Sequence, residues 1–161
     1  MRNWNGLWGC LVTETAIRPA LSGAVADVLE RMFFLEGLSE APEPPLGAET
    51  VSVRVAFDGN PPGCFEMRLA REAADSIAAD FLGEDRESLS EQQSTDVTLE
   101  LANMICGAVL SRIESNAAFR LGAPQIVAGE GGLQGSKEET RYTVETGSGT
   151  LTAAIQMRPR T

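Results

Sequence analysis

The chain has 161 residues, enough for one domain with a sizeable core, and at 43% hydrophobic and 22% charged it reads as an ordinary globular protein. Thirteen Lys+Arg against 23 Asp+Glu leave a net charge of −10, which argues against nucleic acid and anionic membrane as partners, since both need phosphate to be neutralised. Histidine is absent, so Ser-His-Asp and Cys-His nucleophile schemes, His-ligated zinc and an imidazole base are all excluded.

Cys10, Cys64 and Cys106 are far apart and form no CxxC pair, so neither a disulfide framework nor a zinc ribbon is indicated. A reducing, cytoplasmic setting is the expectation. No apolar run reaches the ~18 residues of a membrane span. Residues 1–18 form an expected extension, poorly ordered, ahead of a single domain at 19–161. Trp4 and Trp8 lie in that extension, and the sequence leaves open whether they pack on the domain, on a partner or nowhere.

A first helix is predicted from about Ala20 to Glu36, because Leu21, Val25, Val28, Leu29 and Met32 recur at i, i+3, i+4 spacing. Pro19 sits near its first turn and Gly37 is the expected stop. A proline-rich loop follows. Val51–Phe57 and Cys64–Leu69 alternate with period two around a Gly59–Gly63 turn, the pattern of a hairpin. A short helix over 71–82 has Ala74, Ile77, Ala78 and Phe81 on its inner side, and a charged bend at 83–86 comes next.

The long helix begins at Ser90, where Ser90-Glu-Gln-Gln93 matches a capping box, and runs to about Asn116. After it come an extended stretch at 123–128, a Gly-rich loop at 129–135 and a second hairpin, Thr140–Glu145 with Leu151–Met157. Gly129, Gly131, Gly132 and Gly135 lack the strand, helix and GK[ST] context of a phosphate loop. Adjacent Glu84 and Asp85 lack further oxygen ligands for a metal. Both are read as solvated connections. Each half thus has a long helix and a hairpin, an arrangement that hints at duplication. The fold class is α+β, an antiparallel sheet from two helix–hairpin halves with the long helices packed on one face.

The long helix carries the strongest signal. At ~100° per residue, Asp96, Glu100, Asn103, Gly107, Ser111 and Glu114 project within an arc of roughly 80°. Almost everything else from Val97 to Ile113 is apolar, and Cys106 reads as a small core residue. A solvated face would be wider and would carry Lys/Glu pairs at i, i+4. Gly107 costs ~1 kcal/mol against Ala in mid-helix. It either lets an outside surface approach or allows tight packing inside the fold.

The pattern Asp96-xxx-Glu100-xx-Asn103-Met-Ile-xx-Gly107 resembles the signature of the CheC/CheX family of chemotaxis phosphatases. A first helix ending Met32-Phe-Phe-Leu-Glu and the segment Ala123-Pro-Gln-Ile-Val match more loosely, so the similarity spans about Ala20 to Met157. The resemblance implies hydrolysis of the aspartyl phosphate on a CheY-like response regulator. It implies that Asn103 orients the attacking water, that Glu100 pairs with the regulator's active-site lysine, and that Asp96, Glu100, Gly107 and Ser111 form the partner-binding surface. No metal site is implied in this chain, since the magnesium ion would sit on the receiver domain. Members with two sites carry a second Glu-xx-Asn on the first helix, where this chain reads Glu30-Arg-Met-Phe33. A single site of the CheX type is therefore expected, and a homodimer paired through sheet edges. Two rivals share these features: a module that binds a receiver without catalysis, and a structural protein like those of the flagellar switch.

Overall fold

The computed structural model describes residues 4–35, 38–43, 49–59, 61–113, 119–127 and 139–157, with side chains described from residue 17 onward. Helix α1 (Trp4–Met32) leads into strand β1 (Ser39–Glu40), then the hairpin β2 (Thr50–Asp58) and β3 (Gly63–Ala70). Helices α2 (Arg71–Leu82) and α3 (Glu91–Ile113) follow, with a single 3-10 turn at Arg86–Ser88 between them. Strands β4 (Arg120–Leu121) and β5 (Gln125–Val127) precede the closing hairpin β6 (Glu139–Glu145) and β7 (Thr150–Met157).

All seven strands join one antiparallel sheet in the order β1-β6-β7-β3-β2-β4, with β5 also on β2. The register aligns Val53, Met67 and Ala153 across β2, β3 and β7, and Val55, Phe65 and Ile155 two residues along. Alternation puts these on one face, where all six are buried. Helix α1 lies over β6 and β7, and α3 over β2 and β3. Each long helix therefore covers the hairpin of the other half. Leu21, Val25 and Leu29 of α1 and Leu101, Ile105 and Val109 of α3 complete the core. The α+β architecture with both long helices on the sheet is as expected.

Two boundaries differ from the sequence reading. Helix α1 starts at Trp4, well before the expected Ala20, and Pro19 is interior to it. A proline there removes one backbone donor and is read from sequence as a helix start. At the other end the helix stops at Met32, short of Glu36. Phe34 turns the chain at φ 58°, and the Leu35 N–H folds back to donate to the Leu29 carbonyl at 3.0 Å. Gly37, the expected stop, lies outside the described residues, as do Asn116 and the Gly-rich loop. Helix α2 keeps its expected bounds and ends on Gly83, left-handed at φ 68°, whose N–H caps Asp80 and Ala79.

The second sheet face is polar but not fully wet. Glu66 is only 4% exposed there, between Arg54 at 3.5 Å and Arg68 at 3.7 Å. Thr143 and Thr152 pair their hydroxyls at 2.8 Å in the same layer. Period-two alternation predicts polar residues on this face; it does not predict their burial.

Phe34 occupies a conformation that costs an ordinary L-residue about 1–2 kcal/mol, and its ring is 78% exposed. Phe34→Gly should therefore raise the unfolding free energy, by up to about 1 kcal/mol after the entropy cost of glycine. Urea denaturation of both proteins checks this, and a lower midpoint for the variant would show that the ring packs usefully in the fold.

Candidate functional site

Helix α3 is set by its first turn. The Gln93 N–H donates to Ser90 Oγ at 3.1 Å while the Ser90 N–H donates to Gln93 Oε1 at 2.8 Å. That is the reciprocal capping box expected from the sequence. One turn on, Ser94 Oγ donates to Asp75 Oδ1 of α2 at 2.7 Å, and Thr98 Oγ1 donates to the Ser94 carbonyl at 2.7 Å. Val97, Leu101, Ala102, Ile105, Cys106, Val109 and Leu110 then form a continuous buried face. In the last turn Arg112 pairs with Asp27 of α1. The helix is thus held at both ends and along one side, which determines what its other side presents.

That other side is the polar stripe. Asp96, Glu100 and Ser111 are exposed, and Asn103 and Gly107 are half-buried at its centre. All five candidates from the sequence lie on this outward line, while Glu114 falls outside the described residues. Gln92 Nε2 donates to Asp96 Oδ1 at 2.7 Å, holding that carboxylate one turn above Glu100. Among the described residues, neither the Glu100 carboxylate nor the Asn103 carboxamide has a hydrogen-bond or ion-pair partner. Three residues apart on a helix, their Cβ atoms are ~5–6 Å apart on the same face. A carboxylate only accepts, whereas a carboxamide both donates and accepts without changing protonation. Together they can grip a cation and orient a water.

A contact that sequence spacing does not reveal frames Gly107. Among the described residues, a Cβ built there would meet only Leu121 Cδ2, at 4.0 Å, which is ordinary contact. Packing inside the fold therefore does not require a glycine. Leu121 is held in turn by its neighbours, since Phe119 packs edge-on against Phe57 at 5.9 Å and the Gly122 N–H donates to the Ala56 carbonyl at 2.7 Å. Nothing in the local sequence pattern marks this segment as a wall beside the stripe.

Other chemistries find no support around it. Cys106 is fully buried, and burial pushes its thiol up to about 12, with Cys64 adding a smaller upward push. It carries no thiolate at neutral pH. Among the described residues no group of three or more Cys, Asp or Glu could hold a metal ion. An open cavity of about 360 Å³ lies between Glu49, Arg71, Asp75, Arg86 and Ser90, and none of the five stripe residues lines it.

Residues 51–146 match the family described as chemotaxis phosphatase CheX, a stretch that covers more than half of the chain and the whole stripe. The chain belongs to the CheX family. No curated protein matches the sequence. Solved structures share the fold at low identity. The chemotaxis protein CheX from Desulfovibrio desulfuricans is 19% identical with a TM-score of 0.68, covering 88% of this chain and 99% of that one. CheX from Vibrio vulnificus is 22% identical with a TM-score of 0.68, over 88% and 96% of the two chains. A CheX-CheY-BeF3-Mg complex from Borrelia burgdorferi gives 18% identity and a TM-score of 0.65, over 87% and 96%.

Within this CheX-family fold, the comparable place on α1 offers no second pair. Glu30 is exposed, but Phe33 is 1% exposed and stacks on Phe81 with ring centroids 4.8 Å apart. Gly107 separates fold from site cleanly. Gly107→Ala should stabilise the fold by ~0.5–1 kcal/mol, because helix propensity improves and no clash opposes it. Thermal unfolding tests this, and a drop in melting temperature would return Gly107 to internal packing.

Proposed function

We propose that this CheX-family chain hydrolyses the aspartyl phosphate of a CheY-like response regulator, with α3 as the docking and catalytic surface. The observation that carries the reading is the outward, unpartnered pair Glu100 and Asn103, one helical turn apart inside the segment that matches the family. Support for the partner comes from the Borrelia burgdorferi relative, whose structure holds CheX with CheY, beryllium fluoride and magnesium.

In this mechanism the receiver brings the phosphoryl group, its magnesium ion and a lysine. Glu100 accepts from that lysine ammonium and seats the two proteins. The Asn103 carboxamide holds a water in line with the phosphorus. Attack forms the new P–O bond and breaks the bond to the aspartate oxygen, releasing inorganic phosphate and the receiver carboxylate. Phosphoryl transfer needs little covalent help, so position and charge are what the helix supplies. Asp96, steadied by Gln92, and Ser111 extend the contact along the stripe, and Gly107 leaves room for the receiver backbone. A homodimer belongs to the same reading, and sedimentation at twice the chain mass is its check.

The test is the decay of a phosphorylated CheY-like receiver with and without this protein. Asn103→Ala should lower the accelerated decay at least ~100-fold while binding and melting temperature stay near wild type. Turnover by Asn103→Ala at the wild-type rate would remove the water-positioning role. Glu100→Lys should act differently, weakening association ~10-fold or more. Raising salt should reproduce part of that loss in the wild type. If the receiver binds Glu100→Lys as tightly as wild type, the anchoring role is wrong. A receiver that binds but decays at its own rate would leave only the non-catalytic module.

A further inference from the structure

The ends of α1 and α2 meet at the Phe33–Phe81 stack, and large apolar side chains surround that contact without being covered by it. Phe34 is 78% exposed, Met32 44%, Phe81 41% and Leu82 40%. Four of the five exposed large hydrophobics among the described residues thus gather at one place. Scattered exposed apolar residues need no explanation, but a cluster does. Phe34 is the most telling of them. It sits in the left-handed conformation, where glycine would serve the turn better. Its ring makes almost no use of the fold's own interior. The chain therefore accepts a strained backbone in order to display an aromatic ring.

The surroundings say what would cover it. Glu30, Asp80, Glu84, Asp85 and Glu87 are exposed on the same two helix ends and the bend that follows, against only Arg31 and Arg86. An acidic rim around an apolar centre complements an amphipathic helix with bulky residues along one stripe and Lys/Arg on its flanks. The rim repels an anionic lipid surface. A second copy of a chain with net charge −10 brings more of the same sign.

We propose that the patch formed by Met32, Phe34, Phe81 and Leu82 is a docking site for a cationic amphipathic helix of a partner protein. It does not rest on the phosphatase reading, because it uses none of the α3 stripe. Two synthetic fluorescent helical peptides test it, sharing one Leu/Phe stripe but flanked in one case by Lys/Arg and in the other by Glu. The full-length protein should bind the basic peptide saturably and the acidic one at least ~10-fold more weakly, with the difference shrinking as salt rises. Phe34→Gly should weaken the basic peptide at least ~10-fold, although that variant folds as well as or better than wild type. Leu82→Asp, altering the last residue of α2, should do the same. Equal binding of both peptides, or undiminished binding by Phe34→Gly, overturns the proposal. So does loss of binding to phosphatidylserine vesicles in Phe34→Gly, which would assign the patch to lipid. Loss of a concentration-dependent dimer in Phe34→Gly, with no peptide binding by the wild type, overturns it in favour of a second copy.

Discussion

The rotational setting of α3 against the sheet is the constraint on which the rest depends. Val97, Leu101, Ala102, Ile105, Cys106 and Val109 are buried where α3 packs on α1, α2 and the strands β2 and β3. At ~100° per residue, a slip of one position one way would carry Glu100 into the place of buried Leu101, and the other way would lift Leu101 to the place of exposed Glu100. Exposing a buried leucine costs roughly 1.5–3 kcal/mol, and burying an unpaired carboxylate costs more. The apolar face thus dictates the direction of the polar one. The Ser90–Gln93 cap and the Arg112–Asp27 pair fix the two ends so that the whole stripe is presented as a unit.

The crossed layering adds a second constraint. Because α1 lies over β6 and β7 while α3 lies over β2 and β3, each hairpin is covered mainly by the long helix of the other half. The two long helices are therefore placed side by side by the sheet, yet among the described side chains only α3 presents an acid and an amide. Just past the end of α1 the position three beyond Glu30 is Phe33, which turns inward to close the junction with α2 through Phe81. A side chain that anchors two helices cannot also reach for a substrate. Duplicated architecture here carries unequal halves, one built for presentation and one for cohesion.

Local pattern made much of this legible. Both hairpins, the bounds of α2, the capping box and the five-residue stripe are written in short-range periodicity and in turn residues, and the fold realises them. What could not be read depends on tertiary context. Pro19 looks like a helix start from its neighbours, but α1 passes through it. Phe34 has no left-handed signature, so local pattern points to Gly37 as the stop instead. The two-residue strands β1 and β4 are too short to show alternation. Leu121 reaches Gly107 only because Phe119 and Gly122 are tied to β2, a contact between distant parts of the chain. The placing of Glu66 between two arginines likewise follows from the pairing of β2 with β3, not from either strand alone.

The character of the stripe bears on what sort of substrate it can serve. A small molecule is held by enclosure, in a cleft that strips its water and surrounds its charge. Glu100 and Asn103 stand on the outer side of a rod, with the Gly107 notch beside them and Leu121 as a low wall. Such a surface cannot enclose anything, and burial keeps the Cys106 thiol protonated, so the helix offers no thiolate of its own. Under the proposed phosphatase function, an acceptor and an orienting amide act once a receiver brings the cleft, the reactive bond and the cation. Water is then excluded by the joining of two proteins instead of by the closure of one. On this view the shallowness of the site is the form expected of half an active site, completed in the complex.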